Sequence, residues 1–348
     1  MSCYHPMVGL YTGRRTGNGK KEFRIACNID PPTAMRMYPG SVVIPCGHCI
    51  GCRLDYSRSW ADRMMLELES NNGKGVFLTL TYECRNVVDK LGETVCECSR
   101  PNLENTKLCP CHEECMEQCR LHGSLYKRHV QLFMKSLRKE FDKAGTKLRM
   151  YAVGEYGAFE NSHRPHYHII LFGIGLDDIP NKKPVGFNEL RQEVYTADII
   201  ARYWPHGFIS VGDVSWKSCA YVSRYVTKKA LDPNNDLVIE MLDKNPMFSL
   251  MSRKPGLGAY YLQEHPDCLD YVNIPVAGDK KVSIPKYFLS KLELTDGERY
   301  RKMIDERREY ASDRMMLELS NTDLPCLEYL ANKEQEKLKT IKSLRRYV

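Results

Sequence analysis

The segment that decides the fold is residues 164–172, which read RPHYHIILF. Successive side chains of a β-strand point to opposite faces, so that His166 and His168 project together while Tyr167 faces the other way. The apolar run at 169–172 is typical of a buried strand in the middle of a sheet. Two histidines on one face of such a strand need polar partners or a metal ion. We therefore predict a central strand whose paired histidines bind a metal; the alternative is that the histidines only end the strand.

The expected third ligand comes from the preceding strand. Two neutral imidazoles hold a divalent ion that acts on phosphate with the help of a third, usually anionic, ligand. A predicted strand at 148–153 leads into residues 154–157, which read GEYG, and we predict that Glu155 is this ligand. His163, in the polar loop between the two strands, is expected to be solvated.

A second segment places two phenols and two cations at helical spacing. Residues 221–229 read YVSRYVTKK, so that Tyr221 and Tyr225 lie one turn apart on one helix face, with Lys228 and Lys229 following one turn later. A phenol ionises near pH ~10, but a metal-bound phosphate and lysine ammonium groups stabilise the phenolate. Such a tyrosine pair alone is more often packing than catalysis. Together with the histidine pair, it suits nucleophilic attack on phosphorus.

Strands and helices alternate along the middle of the chain. Apolar periodicity and residue type predict strands at 76–82, 148–153, 167–172 and 208–211, and helices at 54–70, 124–144, 189–203 and 218–230. This alternation indicates helices layered on a sheet, an α+β or α/β arrangement. Residues 1–45 are rich in Gly, Pro and basic residues and are expected to be irregular, with one short strand at most.

One heptapeptide, DRMMLEL, occurs at residues 62–68 and again at 313–319. Met and Leu at helical spacing usually face a core, so we interpret the two copies as similar helical packing faces. The Lys-rich residues 334–346 are expected to form a solvated helical tail.

Composition narrows the class of protein. Lys and Arg outnumber Asp and Glu by 51 to 44 over 348 residues, and a net charge of +7 favours a polyanionic partner without identifying it. There is no basic-then-apolar leader and no apolar run near the ~18 residues that cross a bilayer, so we expect an intracellular protein with no membrane partner. Residues 13–20 lack the spacing of a phosphate-binding G-x-x-x-x-G-K-[ST] loop, and a helicase motor is not expected.

Ten of the 15 cysteines fall into two groups, at 46–52 and at 84–119, and the other five are scattered: Cys3, Cys27, Cys219, Cys268 and Cys326. Cys46, Cys49 and Cys52 have the spacing of metal ligands but lack an adjacent fourth cysteine. A second set that could hold zinc comprises Cys96, Cys98, Cys109, Cys111, Cys115 and Cys119. His48 and His112 are available as nitrogen ligands, and structural Zn²⁺ and free thiols stay equally open. A non-catalytic, zinc-dependent nucleic-acid-binding protein is therefore the alternative to an enzyme.

The order of three motifs resembles the HUH endonucleases, the initiators of rolling-circle replication. The motifs are FLTLTY at 77–82, HYH at 166–168 and YVSRYVTK at 221–228. The neighbouring segments at 46–53, 154–157 and 206–214 are similar to the replication initiators of gokushovirus-type microviruses, and the likeness covers about residues 42–230. A relaxase of plasmid mobilisation would share the chemistry, but these segments outside the motifs argue against it.

The resemblance implies an HUH-type antiparallel sheet of about five strands, flanked by helices. It implies that His166 and His168 hold Mg²⁺ or Mn²⁺ against the scissile phosphate of single-stranded origin DNA. Tyr221 and Tyr225 take the roles of nucleophiles, either of which can act first, with Lys228 beside them. The products are a 5′-phosphotyrosine link and a free 3′-hydroxyl that primes synthesis.

The resemblance also suggests how the chain is divided into domains and which DNA and protein partners it binds. We expect an N-terminal region at 1–75, an endonuclease core at 76–230 with a Cys-rich insertion at 84–123, and a mostly helical extension at 231–348. Arg164, Arg224 and Lys229 are predicted to bind DNA, and Lys135, Arg138 and Lys139 are further candidates. Host helicase and polymerase are the expected partners, in the host bacterial cytoplasm.

Overall fold

The computed structural model describes residues 3–17, 21–26, 29–95, 112–157, 163–188, 191–231, 237, 239–276 and 280–344; the side chains of 112–116, 225–231, 280 and 342–344 are outside this description. The strands are β1 Met7–Arg15, β2 Lys21–Ala26, β3 Val42–Ile44, β4 Gly75–Tyr82, β5 Arg149–Tyr156, β6 Pro165–Phe172, β7 Lys183–Phe187, β8 Glu193–Thr196, β9 Gly207–Asp213, β10 Phe248–Met251, β11 Asn273–Val276 and β12 Lys280–Ser283. The helices are α1 Pro31–Met37, α2 Ile50–Ser70, α3 His112–His122, α4 Lys127–Asp142, α5 Asp198–Ala201, α6 Trp216–Leu231, α7 Ala259–Glu264, α8 Lys286–Thr295, α9 Gly297–Ser320 and α10 Cys326–Leu344.

A seven-stranded antiparallel sheet forms the centre of the larger unit, with the order β10-β5-β6-β4-β9-β8-β7. The predicted α+β class is confirmed, and the four predicted strands lie side by side as β5, β6, β4 and β9. The histidine-bearing strand β6 is central, as expected from its apolar run. The sheet exceeds five strands because β10 and the β7–β8 hairpin extend its two edges.

The predicted helix at 189–203 is wrong over residues 193–196. This segment reads EVYT and forms β8, where Tyr195 pairs with Val211 of β9. β-Branched and aromatic side chains favour a strand, and pairing with distant β9 decides the outcome. Of the described residues 191–203, only Asp198–Ala201 form an α-helix.

Alternation along β4 gives the sheet two distinct faces. Val76, Leu78 and Leu80 point to one face, which we call the core face, where Phe133 and Leu137 of α4 pack on them. Phe77 and Thr79 point to the opposite face, which we call the site face. Burying each large apolar side chain on the core face stabilises the fold by about 1.5–3 kcal/mol.

Helices α2 and α6 cover the site face. Trp60 of α2 lies 5.2 Å, centroid to centroid, from Tyr151 of β5, and α6 packs against β5 and β6. The hydroxyls of Ser57 and Ser223 are 3.1 Å apart and join the two helices. The predictions of helices at 54–70, 124–144 and 218–230 are confirmed by α2, α4 and α6.

The residues group into two compact units, Met1–Tyr56 with Lys286–Val348, and Ser57–Pro285. The division at 1–75, 76–230 and 231–348 stays a prediction. In the first unit, a sheet of order β2-β1-β3 replaces the irregular structure expected for residues 1–45, and that prediction is wrong. β1 is stabilised on both edges, and a Cβ on Gly9 would meet Ile44 Cδ1 at 2.8 Å, so the glycine that weakened the strand signal is needed for close packing.

The repeated heptapeptide occupies two different environments. In α2, Met64 and Leu66 are fully buried, as a packing face should be. In α9, Met316 is 53% and Leu317 is 66% exposed. The interpretation as packing faces therefore holds for the first copy and is wrong for the second. Among the described residues, no helix combines the length and apolarity needed to cross a membrane.

Candidate active site

Strand pairing brings three potential metal ligands together on the site face. Glu155 of β5 lies directly opposite His166 of β6. The Glu155 Oε1 atom is 2.7 Å from His166 Nε2 and 3.1 Å from His168 Nε2. Glu155 and His168 are buried, whereas His166 keeps 19% of its side chain exposed. We call these three residues the histidine site; two imidazoles and a carboxylate form a ligand set that suits a divalent ion and leaves coordination positions for substrate.

Contacts behind the histidines hold their Nε2 atoms toward Glu155. His166 Nδ1 lies 3.1 Å from the carbonyl oxygen of Arg164, which can only accept, so Nδ1 donates there and Nε2 points toward Glu155. His168 Nδ1 lies 3.0 Å from the hydroxyl of Thr79, its direct neighbour on β4. Such outer hydrogen bonds orient metal-binding histidines. The donor set therefore fits a metal ion without rearrangement of the rings.

The electrostatics of the site also favour a cation. Burial alone would raise the pKa of Glu155, but hydrogen bonds and charge interactions with His166 and His168 outweigh it and lower the pKa to about 2. The carboxylate is therefore charged at neutral pH. A buried negative charge requires a cationic or hydrogen-bonding partner, which a metal ion or the two imidazoles provide.

Tyr221 of α6 lies beside the histidine site. Its ring centroid is 5.4 Å from that of His168, edge to face at 82°. The Phe77 ring contacts both of these rings. It stacks on His168 with centroids 5.4 Å apart and lies edge to face with Tyr221 at 6.2 Å. The half-buried Tyr221 thus lies against the ring of one of the potential metal ligands. Tyr225, Lys228 and Lys229 follow on α6, but their side chains lie outside the described residues.

The predicted DNA-binding residues occupy several places. The Arg164 guanidinium donates to Cys84 Sγ at 2.5 Å and so supports the strand that carries His166. Arg224 is exposed on α6. A groove of about 570 Å³ on α4 is lined by Gln131, Lys135, Arg138, Lys139, Asp142 and Lys143. Because α4 packs on the core face, this basic groove lies across the sheet from the histidine site.

His163 is buried rather than solvated, and that expectation is wrong. Its ring stacks on Tyr156 with centroids 4.8 Å apart, and its Nδ1 is 3.0 Å from Lys244 Nζ. Lys244 Nζ also donates to the carbonyl of Arg120 at 2.6 Å. Burial lowers the pKa of Lys244 to about 8. No local sequence signal points to this contact, because Lys244 is distant in the chain.

Four cysteine thiols form a second cluster, in the smaller unit. The Sγ atoms of Cys3, Cys46, Cys49 and Cys52 all lie within 4.8 Å of one another, and we call this set the cysteine cluster. Cys3 was missed in the sequence because 43 residues separate it from Cys46, and an unpaired cysteine near a terminus carries no spacing signal.

The second predicted cysteine group is only partly described. Cys119 is fully buried in the apolar core around β4 and α4, and the described side chains do not bring it into a metal-binding group. Cys96, Cys98, Cys109 and Cys111 lie outside the described residues, as does the side chain of Cys115.

Comparisons with known proteins agree on a family. Residues 75–230 match the family model of the ORF2-type replication-associated proteins. The chain is 31% identical over 305 residues to replication-associated protein ORF2 of Spiroplasma virus 4, an alignment that covers 86% of this chain and 83% of that protein. It is 27% identical over 252 residues to replication-associated protein VP4 of Bdellovibrio phage phiMH2K, covering 71% and 67%. It is 26% identical over 191 residues to replication-associated protein ORF4 of Chlamydia phage 1, covering 54% and 39%.

No solved structure matches the chain. The segment that matches the family model, residues 75–230, contains the central strands, the histidine site and α6. This match defines the class of protein. The chain belongs to the family of phage replication-associated proteins. All three relatives are named replication-associated proteins, which indicates a role in phage replication.

Proposed function

We propose that the protein nicks and rejoins single-stranded origin DNA, with a tyrosine of α6 as nucleophile and with Mg²⁺ or Mn²⁺ held by Glu155, His166 and His168. The observation that carries the proposal is the contact of the Tyr221 ring with His168, whose Nε2 faces the same carboxylate oxygen as His166 Nε2. A phenol beside a cation site would meet a phosphate bound there. Carboxylate oxygen and imidazole ligands suit these divalent ions.

The chemistry is a transesterification. The phenol oxygen of the tyrosine forms a bond to phosphorus, its proton passes to solvent, and the bond from phosphorus to the 3′-oxygen breaks. The leaving 3′-oxygen takes up a proton and becomes the free hydroxyl of a primer. When bound, the ion would polarise phosphate oxygens and neutralise the developing charge.

A covalent intermediate explains why rejoining needs no energy source. The 5′-phosphotyrosine link keeps the energy of the phosphodiester bond, so a free 3′-hydroxyl can reverse the reaction. With Tyr221 and Tyr225 one turn apart on α6, the second phenol would transfer the strand in a later round. Lys228 would stabilise the phenolate by its charge.

Basic residues would guide the DNA strand toward the site. Arg224 and Lys229 lie on α6 itself, and Arg164 lies at the start of β6. The groove on α4 offers Lys135, Arg138 and Lys139 to phosphates farther along the strand. Host helicase and polymerase would supply unwinding and synthesis in the host bacterial cytoplasm.

Covalent capture tests the proposal. The purified protein would be incubated with Mn²⁺ and overlapping single-stranded oligonucleotides that cover the encoding phage genome, each labelled at its 3′ end. We expect one oligonucleotide to give a labelled adduct on a denaturing gel, because the 5′-phosphotyrosine retains the labelled fragment.

The double variant Tyr221→Phe, Tyr225→Phe should form no adduct. Tyr310→Phe, which changes a 70% exposed tyrosine far along the chain on α9, is the matched control and should react normally. An adduct that persists in the double variant would refute the assigned nucleophiles. Tight DNA binding without any adduct would favour the alternative of a non-catalytic, zinc-dependent binding protein.

A further inference from the structure

We propose that Cys3, Cys46, Cys49 and Cys52 bind one structural Zn²⁺, with Cys3 as the ligand that completes the site. Cys46 Sγ lies 3.9 Å from Cys52 Sγ, and Cys49 Sγ lies 3.9 Å from Cys3 Sγ. A tetrahedral zinc ion with Zn–S bonds of about 2.3 Å places its sulfur ligands roughly 3.8 Å apart. Two of the six sulfur pairs thus stand at the spacing that the ion requires, and all six lie within 4.8 Å.

Backbone amides converge on the same sulfur atoms. The N–H of Cys46 donates to Cys3 Sγ at 3.3 Å, and the N–H of Cys49 donates to Cys46 Sγ at 3.3 Å. Cys49 Sγ accepts from the N–H of Tyr4 at 3.4 Å and from the N–H of Cys52 at 3.5 Å. Four thiolates around one Zn²⁺ carry net negative charge, and amide donors stabilise that charge. Neutral free thiols carry no such charge, so amide donors would stabilise them less.

Local structure explains how the chain builds the cluster. Strand β3 ends two residues before Cys46. The chain then turns at Gly47, whose left-handed φ of +79° favours glycine. Cys49 precedes the first residue of α2, and Cys52 lies in the first turn of that helix. The positive end of the helix dipole therefore faces two of the thiolates.

The site would stabilise the smaller unit rather than catalyse a reaction. Four protein ligands fill a tetrahedral zinc ion and leave no position for substrate. Cys3 lies just before β1, whereas the other ligands lie between β3 and α2, so that one ion joins segments distant in sequence. Next to it, Glu334 of α10 accepts from the N–H of Ile50 at 3.4 Å and lies 2.5 Å from His5 Nε2. A unit with so few buried apolar side chains gains much of its stability from such a metal.

The test is a zinc count on the full-length protein by elemental mass spectrometry. The count would be made in a His166→Ala, His168→Ala background, so that an ion at the histidine site does not contribute and the result is independent of nicking. We expect the protein with all its cysteines to hold one more zinc per chain than the Cys3→Ser variant. Cys326→Ser, which changes a half-buried cysteine of the same unit outside the cluster, is the matched control and should keep the zinc.

Cobalt substitution keeps the test decisive if the serine variants fail to fold. In the protein with all its cysteines, Co²⁺ should give the intense visible bands of tetrahedral four-thiolate coordination. A metal-free protein in which Cys3, Cys46, Cys49 and Cys52 are all rapidly alkylated would overturn the proposal. Retention of one zinc with an unchanged cobalt spectrum after Cys3→Ser would show that Cys3 is not a ligand.

Discussion

The histidine site and the cysteine cluster differ in the number and kind of their ligands. The histidine site has one oxygen and two nitrogen donors on the rigid centre of a seven-stranded sheet, with His166 partly exposed. The cysteine cluster has four sulfur donors, two of them in buried residues. Three mixed ligands leave room for a phosphate, whereas four thiolates close the coordination shell. On the two proposals, ligand chemistry alone would separate a reactive ion from a structural one within this chain.

The largest effect should come from removing an imidazole. We expect His168→Ala to reduce covalent capture of DNA by at least about 10³-fold, because loss of metal assistance costs several kcal/mol of transition-state stabilisation. The zinc bound by the cysteine cluster should not change. Single-turnover rates and elemental analysis of the same sample measure both effects, and a simultaneous loss of zinc would mean that the two sites are not separate.

Removing the structural ion should have the next largest effect. We expect Cys49→Ser to lower the free energy of unfolding by more than about 3 kcal/mol, because metal binding is coupled to folding. Thermal unfolding with and without a chelator measures it, and the chelator should have little further effect on the variant. Equal chelator sensitivity of Cys49→Ser and of the unmodified protein would contradict a structural role of the cluster.

A milder change should weaken the histidine site without destroying it. Thr79→Val removes the hydroxyl that lies 3.0 Å from His168 Nδ1, and loss of such a contact reduces metal affinity by about 10–100-fold. We expect a higher Mn²⁺ concentration for half-maximal capture and a near-normal rate at saturating Mn²⁺. Thr81→Val, two residues along the same face of β4, is the control. A uniform loss of rate at every Mn²⁺ concentration would argue against this role of Thr79.

The smallest effect concerns the turn at Gly47. Gly47 and Gly40 both have positive φ, and no atom of the described residues lies within 4 Å of a Cβ added at either position. Alanine at either position should cost about 1–2 kcal/mol of stability through backbone strain. Only Gly47→Ala should also speed the release of zinc to a competing chelator. Identical release from both variants would mean that this turn does not shape the cluster.

The central part of the fold could be predicted because its signals are local. The apolar run at 169–172 marks the strand, and the alternation at 166–168 marks its polar face. Helix α6 follows from residue type and helical spacing. Glu155 was predictable as a neighbour because a hairpin pairs consecutive strands. By contrast, β8 depends on pairing with β9, and β1 depends on two partners, which no short window of sequence contains.

Contacts between distant residues escaped prediction at the sites as well. The pairing of Thr79 with His168 depends on the register of β4 against β6, and the position of Cys3 depends on the N-terminal sheet. His163 offered a polar loop as its only context, so its burial against Lys244 could not be foreseen. In each case the residue type indicated a polar or metal-binding role, but the sequence did not indicate which distant residue it would contact.

The position of the covalent link tests the central claim most directly. Trypsin cleaves after Lys217, Arg224 and Lys228, so that Tyr221 falls in peptide 218–224 and Tyr225 in peptide 225–228. After nuclease digestion of the adduct, mass spectrometry should find the nucleotide on one of these two peptides. A nucleotide attached to any residue outside α6 would contradict the account, because no phenol of that helix would then have attacked the phosphate.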